Sequence, residues 1–315
     1  MSLRLRLLSV VLPGLLAGLS PMGGCQPASD AASDAQQATP PPAVRDSVLS
    51  PPDTTAARFE AALETALSHR DDAGSIGALT QAVGRHFRGR PYRTGTLDAP
   101  ATETLVVRLD GFDCVTFVET ALALARSVQA ADTTYAGFAR RLAEQRYRDG
   151  GPVGYCGRLH YFTEWLADNA DRGHVRRLGA ELEGRPLPDT LDFMSTHRSA
   201  YDRFATNDSL FACVQDMETR LQSQRRRDPV RYVPQDSIRA VYNQLRAGDI
   251  VALVSSIDGL DVAHTGLVYA DPDGGRGLLH ASLSDGVVVS PDLQRYVQTI
   301  DRQTGMVVAR PRPVR

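Results

Sequence analysis

The order of hydrophobic patterns along the chain limits the folds that this sequence can adopt. Before about residue 227 the apolar residues recur mainly at helical spacing, which predicts helices over 56–69, 75–87, 135–145, 161–169 and 213–227. From Asp249 onward, runs rich in β-branched residues alternate with turns containing Gly and Asp, which predicts strands over 250–254, 264–269, 276–282, 287–289 and 306–309. A further short strand is predicted over 105–109, before the helix that begins near Cys114. Helices followed by an antiparallel sheet are typical of the α+β class, and we expect that class here.

The amino terminus has the pattern of an export signal. Arg4 and Arg6 precede an apolar run over 7–19, which is too short for a stable membrane-spanning helix and is typical of a signal-peptide core. The run leads to Met22-Gly23-Gly24-Cys25, which is similar to a bacterial lipobox, where the cysteine becomes the lipidated first residue. We therefore expect residues 1–25 to be a lipoprotein signal ending at Cys25. The alternative is an ordinary secretory signal that is cleaved nearby.

The composition changes again near residue 55. Residues 26–55 consist mainly of Ala, Pro, Ser, Asp and Gln, and such a segment buries too little apolar surface to offset the entropy of ordering. We expect a disordered tether over 26–55 and one globular domain over 56–315, which is long enough to form a sizeable core. The formal net charge of -2 argues against a protein that binds nucleic acid.

One cysteine stands at the predicted start of an apolar helix. Asp113 precedes Cys114 and is suited to cap the free amide groups of the first turn, and the apolar residues from Val115 onward continue at helical spacing. A thiol in the first turn lies at the positive end of the helix dipole, which favours the nucleophilic thiolate. Cys114 is therefore a candidate nucleophile. The alternative is a buried structural cysteine.

Two histidines follow in the predicted sheet. If the turn at 271–275 is centred on Asp273, His264 lies opposite Ser282 and His280 lies diagonal to His264. All three positions are even, so their side chains project from one face unless a bulge intervenes. Two imidazoles on one face form the base-plus-orienter arrangement that a cysteine nucleophile requires. The alternative is two unrelated histidines in a surface hairpin.

The remaining cysteines, Cys156 and Cys213, leave two interpretations open. In an oxidising compartment they are able to form a disulfide, but the sequence gives no distance between them, and two free thiols are the alternative. A zinc site is disfavoured, because no pair of Cys or His residues has the close spacing of a metal knuckle.

Short motifs in a fixed order cover the chain from about residue 80 to residue 300. They are Gly89-Arg90-Pro91-Tyr92, Gly95-Thr96-Leu97, 109–119 around Cys114, Arg158-Leu159-His160-Tyr161 with Trp165, Phe193-Met194-Ser195 with His197, 246–250, 259–266 and His280-Ala281-Ser282. Together they resemble the NlpC-type papain-like cell-wall cysteine hydrolases, and more narrowly the branch described as N-acetylmuramoyl-L-alanine amidase-like.

This resemblance implies a papain-like core, with the nucleophile at the N-terminus of a helix packed on an antiparallel sheet. It also implies hydrolysis of the peptidoglycan amide between the muramic acid lactyl group and L-alanine. Cys114 would attack the carbonyl, His264 would take up and return the proton, and His280 would orient His264. Tyr92 would support the nucleophile and the oxyanion, although a packing role is the alternative.

The resemblance further implies a substrate cleft and a cellular location. The residues expected at the cleft are Arg158, His160, Tyr161, Asp261 and Ser282. For Tyr161 the alternative is helix packing, and for Asp261 it is a turn role. Muropeptides are the expected partners, a lipid anchor is the expected contact with the periplasmic face of a membrane, preferably the outer membrane, and no metal or organic cofactor is needed.

Three rival functions remain at this point. A D,L-endopeptidase that cuts within the stem peptide would use the same triad with a different cleft. A thiol acyltransferase would form the same acyl-enzyme and pass the acyl group to an amine or alcohol. A catalytically silent lipoprotein would only bind muropeptides, but the intact set of Cys114, His264 and His280 argues against it.

Overall fold

The computed structural model describes residues 51–314. The predicted signal segment, Cys25 and the predicted tether up to residue 50 lie outside these residues. Among residues 51–314, no helix is both long and apolar enough to cross a membrane.

The described part of the chain contains nine α-helices and eight strands. The helices are α1 (Asp53–Ser68), α2 (Ile76–His86), α3 (Cys114–Gln129), α4 (Tyr135–Arg146), α5 (Phe162–Asp171), α6 (Phe193–Thr196), α7 (Asp202–Ala205), α8 (Asp208–Arg227) and α9 (Leu293–Thr299). The strands are β1 (Val175–Arg177), β2 (Arg185–Pro186), β3 (Arg231–Pro234), β4 (Ile250–Ser255), β5 (Val262–Ala270), β6 (Arg276–Ser282), β7 (Gly286–Ser290) and β8 (Gln303–Pro311).

The strands form one antiparallel sheet in the order β2-β3-β8-β4-β5-β6-β7, and β1 pairs with β8 beside this path. Most helices precede the long strands in the chain, so the α+β prediction is confirmed. The five strands predicted after Asp249 are all present, and each lies within two or three residues of its predicted bounds.

The hairpin of β5 and β6 has the predicted register. Leu267 pairs with Leu279 and Ala270 pairs with Arg276, as a turn centred on Asp273 requires. A bulge does occur in β5, but it affects the pairing with β4 beyond His264 and leaves the β5–β6 ladder regular. His264 and His280 therefore lie on one face of the sheet.

Both faces of the sheet are covered. Along β4, the side chains of Ile250, Ala252 and Val254 enter one hydrophobic core, and those of Val251 and Leu253 enter a second core on the opposite face. This alternation follows from the two-residue period of a strand. The first core lies under the α2–α3 layer, and the second core contains the buried residues of α9.

Helix α3 is the central element of the first core. Every residue from 116 to 128 is buried, because α2 and α4 pack beside this helix and β5 packs under it. Glu119 of α3 forms a buried ion pair with Arg146 of α4 at 2.7 Å and accepts a hydrogen bond from the indole of Trp165 at 3.1 Å. One carboxylate thus links three helices, which fixes the position of α3 and of the residue at its start.

Several sequence predictions need correction. The strand predicted over 105–109 is wrong, because no neighbouring strand pairs with it and side chains bind its backbone instead: Arg146 donates to the carbonyl of Val106. Helix α8 begins at Asp208 rather than 213, since Asn207 caps its first turn. Helix α1 begins at Asp53, within the last residues of the predicted tether. Strands β1, β2 and β3 and helix α9 were not predicted.

The two cysteines that the sequence left as either bonded or free form a disulfide. Cys156 and Cys213 are bonded, with their Cα atoms 5.9 Å apart. The bond ties the short 3-10 turn at Tyr155–Gly157 to α8, beside a third and smaller hydrophobic cluster that includes Tyr155, Tyr161 and Met217. Because this cluster is small, we expect the crosslink to contribute strongly to its stability.

Replacing both bonded cysteines by serine tests that contribution. The bond closes a loop with a sequence separation of 57 residues. The chain-entropy relation predicts that Cys156→Ser with Cys213→Ser lowers the free energy of unfolding by about 4 kcal/mol. The measurement is urea unfolding with and without reductant. Reductant should destabilise the wild type by a similar amount and leave the double variant unchanged, whereas equal stabilities in all four samples would contradict the expectation.

Candidate functional site

A cleft of about 460 Å³ opens at the start of α3. Cys114 lies on its helical wall and His264 lies on the wall that β5 provides. Tyr92, from the loop after α2, contributes to the same cleft, as do Asp113 and Thr265. The structure thus brings together three of the residues that the sequence assigned to the nucleophile and its base.

The local sequence fixes where α3 begins. The Asp113 carboxylate accepts a hydrogen bond from the Thr116 amide at 2.8 Å, and the Thr116 hydroxyl accepts one from the Asp113 amide at 3.0 Å. This reciprocal capping box ends the preceding loop at Asp113. The Thr96 hydroxyl donates to the second oxygen of the same carboxylate at 2.9 Å. Cys114 is therefore the first helical residue, as predicted.

Two groups from other elements approach the Cys114 thiol. The backbone of Thr265 in β5 and the hydroxyl of Tyr92 lie close enough to the sulfur for each to lower the pKa of the thiol. The Tyr92 hydroxyl also lies beside the backbone of Cys114. Tyr92 is therefore a neighbour of both the thiol and the start of α3.

The two predicted histidines are in direct contact. His264 Nε2 and His280 Nδ1 are joined by a hydrogen bond of 2.8 Å. His280 Nε2 is joined to the Ser290 hydroxyl of β7 at 3.1 Å. Gly266 permits this close approach of β5 and β6, because a Cβ at that position would lie 2.9 Å from the His280 Cβ. The bond to His280 occupies Nε2 of His264 and leaves its Nδ1 for other partners.

Tyr296 is a site residue that the sequence did not reveal. From α9 its ring packs against the His280 ring at a centroid distance of 4.7 Å and against the His264 ring at 6.1 Å. Burial raises the pKa of its hydroxyl to about 12, and the nearby Cys114 contributes to this increase. Tyr296 thus covers the hydrogen bond between the two imidazoles. The helix α9 itself was not predicted, so no signal pointed to this residue.

Burial determines where the proton lies in the resting site. It raises the pKa of the Cys114 thiol to about 12, and the charge of Asp113 adds to this effect, although the nearby Thr265 backbone and Tyr92 hydroxyl oppose it. Burial lowers the pKa of His264 to about 3, and the neighbouring His280 lowers it further. The sequence predicted a thiolate from the helix dipole. The structure instead favours a neutral thiol beside a neutral imidazole, since desolvation of the charged forms outweighs the dipole.

Two of the predicted substrate-binding residues are already engaged with neighbouring residues. The Arg158 guanidinium forms ion pairs with Asp98 at 2.5 Å and with Glu103 at 3.4 Å. The Asp261 carboxylate pairs with Arg225 at 3.1 Å and accepts a hydrogen bond from the Thr163 amide at 3.0 Å. Both residues line the cleft, but these contacts hold its walls together.

The other three predicted residues differ in their placement. His160 lines the cleft, donates Nε2–H to the Tyr155 carbonyl at 2.8 Å, and has a pKa that burial lowers to about 3. Tyr161 also lines the cleft, but its hydroxyl donates to Glu218 at 2.6 Å. Ser282 does not line the cleft, because it ends β6 and its hydroxyl bonds to the side chains of the following turn.

Residues 51–314 contain no group of three or more His, Cys, Asp or Glu side chains arranged to hold a metal ion.

The proton position in the resting site is testable by alkylation of Cys114. Because the pKa of the thiol is raised, the thiolate fraction and the rate of iodoacetamide labelling should rise about tenfold per pH unit from pH 6 to pH 9. The rate should continue to rise where an unfolded control in urea has reached its plateau. Peptide mass mapping follows Cys114 separately from Cys25. Fast labelling that is independent of pH between 5 and 8 would show a thiolate–imidazolium pair instead.

The chain is similar to known proteins both in its sequence and in its structure. Residues 82–306 match the sequence model of the family AmiA-like, described as N-acetylmuramoyl-L-alanine amidase-like. The structure is similar to a crystal structure of an N-acetylmuramoyl-L-alanine amidase from Bacteroides uniformis ATCC 8492, with 30% identity and a TM-score of 0.70. That similarity covers 75% of this chain and 99% of the other.

Two further structures are similar. A Bacteroides fragilis protein described as a xylanase candidate has 34% identity and a TM-score of 0.65 over 72% of this chain and 98% of its own. A Legionella pneumophila str. Philadelphia 1 protein of the family DUF1460 shares the fold, with 18% identity and a TM-score of 0.59 over 82% of this chain and 97% of its own. None of the curated proteins compared gives a match.

Proposed function

The chain belongs to the AmiA-like, N-acetylmuramoyl-L-alanine amidase-like family, and on that premise we propose that it is a cysteine-dependent hydrolase of peptidoglycan fragments. The observation that carries this proposal is the shared cleft of Cys114 and His264, with His280 bonded to the far side of His264. A thiol at a helix start, a base beside it and an orienting group behind the base form the nucleophile–base–orienter set of papain-like hydrolases.

The geometry supports the following sequence of steps. As the Cys114 sulfur attacks the amide carbonyl, its proton passes to Nδ1 of His264, which the bond to His280 leaves available. The resulting imidazolium donates Nε2–H to His280 and returns the first proton to the leaving amine. The acyl group then remains on Cys114 as a thioester. Water, deprotonated by His264, attacks the thioester, releases the carboxylate and restores the thiol.

The negative charge of each tetrahedral intermediate requires stabilisation. We assign this role to the Cys114 amide at the start of α3 and to the Tyr92 hydroxyl, because that hydroxyl lies beside both the sulfur and the Cys114 backbone. The helix start contributes a partial positive charge at the same place. Because both donors are preorganised in a largely buried site, they are suited to bind the oxyanion more strongly than the neutral carbonyl.

The substrate proposal is the amide between the lactyl group of muramic acid and L-alanine in muropeptides. The family description and the name of the Bacteroides uniformis relative support this bond. The cleft lies within the range of volumes typical of small-molecule sites, which suits a soluble fragment. The same catalytic residues are compatible with a D,L-endopeptidase that cuts within the stem peptide, so product analysis distinguishes the two.

We also propose that the protein acts outside the cytoplasm as a lipoprotein anchored through Cys25, with the outer membrane preferred. The lipobox-like sequence before Cys25 supports this location. The Cys156–Cys213 disulfide supports it as well, because disulfides persist mainly in oxidising compartments.

Detergent-phase partitioning tests the anchor: a Cys25→Ala variant should leave the detergent phase, and its retention there would exclude lipidation at this residue.

The central test is cleavage of a defined disaccharide-tetrapeptide, followed by mass spectrometry. The wild type should release the free disaccharide and an intact tetrapeptide that begins with L-Ala. Cys114→Ser should form neither product, since an alcohol is a far poorer nucleophile in this site. Circular dichroism of the variant checks that the fold is retained. Equal turnover by Cys114→Ser would exclude the nucleophile assignment.

Other products would change the proposal. Release of an L-Ala-containing disaccharide conjugate, or of free L-Ala-D-Glu, would assign the protein to the endopeptidases with the same catalytic residues. Transfer to an added amine in place of water would assign it to the acyltransferases. Binding of the fragment without cleavage would favour a silent binding lipoprotein.

The two histidines should differ in their effect on turnover. Loss of the general base in His264→Ala should lower kcat by roughly 10²-fold to 10⁴-fold. His280→Ala should lower kcat by roughly 10-fold to 100-fold, since it removes only the group that orients the base. His69→Ala is the matched control, because His69 is exposed at the end of α1 and should leave kcat unchanged. A larger loss in His280→Ala than in His264→Ala would reverse the two roles.

A further inference from the structure

The hydrogen bonds of the two imidazoles continue to a third residue that the proposed mechanism does not use. Ser290, at the end of β7, places its hydroxyl 3.1 Å from Nε2 of His280. His280 itself is only 1% exposed, and Tyr296 packs against its ring. We propose that Ser290 is a positioning residue: its hydroxyl accepts a hydrogen bond from His280 Nε2–H and thereby keeps Nδ1 of His264 unprotonated.

The argument follows from the number of protons in the chain of bonds. A neutral imidazole carries one N–H, so the nitrogen that is protonated depends on what the other nitrogen binds. If Ser290 accepts from His280 Nε2, then His280 Nδ1 is a lone pair that must accept from His264 Nε2. Nδ1 of His264 is then free of a proton. If Ser290 donates instead, every bond reverses and His264 Nδ1 carries the proton.

Only the first arrangement is ready for catalysis. A protonated Nδ1 of His264 has no lone pair to receive the proton of Cys114, so the base would be blocked. After proton transfer, the imidazolium of His264 must donate Nε2–H to a lone pair on His280 Nδ1, which again requires His280 to carry its own proton on Nε2. A hydroxyl at Ser290 is an acceptor in both stages, so the direction of the bonds need not reverse during turnover.

The Ser290 hydroxyl is the polar group that contacts Nε2 of His280. Asp285 is close enough for its charge to act on His280, but its carboxylate accepts hydrogen bonds from Ser282 and Ser284. Tyr296 covers the ring from α9 and contributes a largely apolar surface there. In such surroundings, loss of the Ser290 hydroxyl would leave Nε2 of His280 without a hydrogen-bond partner and without hydration, so the proton position on the two rings depends on this hydroxyl.

This inference rests on the proposed function, because it concerns the base of that mechanism. Two variants of nearly equal shape test it: Ser290→Thr keeps the hydroxyl, and Ser290→Val removes it. Both threonine and valine suit a strand, so comparison of the two variants isolates the effect of the hydroxyl.

The measurement is nitrogen-15 NMR of the full chain with labelled histidine, in which protonated and unprotonated ring nitrogens differ in chemical shift. His264→Asn and His280→Asn spectra assign the signals among the seven histidines.

The expected spectra show the proton on Nε2 of His264 in the wild type and in Ser290→Thr, and a mixture of the two neutral forms in Ser290→Val. Turnover of the disaccharide-tetrapeptide should show kcat lowered roughly 10-fold to 100-fold in Ser290→Val with KM unchanged, and close to wild type in Ser290→Thr. A structural defect alone would not change the proton position on His264 in a folded variant.

Two results would overturn the inference. One is a wild-type His264 that carries its proton on Nδ1, which requires no variant to be folded. The other is a Ser290→Val protein with the same proton positions and kcat as Ser290→Thr. Absence of muropeptide cleavage by the wild type would reject the proposed function but leave the NMR result valid, so the two failures are distinguishable.

Discussion

The burial of helix α3 is the constraint on which the rest of the structure depends. Every residue from 116 to 128 is enclosed by neighbouring helices and the sheet, and the buried Glu119–Arg146 pair fixes the helix laterally. A buried helix in a close-packed core has little freedom to slide or rotate. The capping box at Asp113 then places the first residue, Cys114, at a defined point above the start of β5. The geometry of the proposed catalytic site is thus a consequence of core packing.

The same burial determines the chemical state of the site. Desolvation disfavours both a thiolate at Cys114 and an imidazolium at His264, which favours a neutral resting pair. In the proposed mechanism, activation of the nucleophile then depends on a correctly protonated imidazole rather than on a preformed ion pair. The proposed role of the hydrogen-bonded chain behind His264 is to select which ring nitrogen is free. Tyr296 completes it by covering the bond between the two rings.

The sequence predictions succeeded where the interactions join residues close in sequence, and they failed where the interactions join distant residues. The cap at Asp113 and the register of the β5–β6 hairpin depend on residues close in sequence, and both were predicted. The strand over 105–109 failed because strand formation needs a partner from elsewhere in the chain, and none lies beside it. Arg158 lines the cleft, and its ion pairs with Asp98 and Glu103 were not predicted. Such pairings between distant residues leave no periodic pattern to read.

The sequence by itself determined that a cysteine begins an apolar helix and that two histidines share one face of a hairpin. Capping and strand alternation are local rules, which explains why these two features were readable. Only the tertiary structure decided that the helix start and the hairpin meet at one cleft, that Cys156 and Cys213 are bonded, and that Ser290 and Tyr296 complete the histidine pair. It also decided the direction in which the pKa of the thiol shifts, because desolvation is a property of the surroundings that packing creates, and no residue carries it alone.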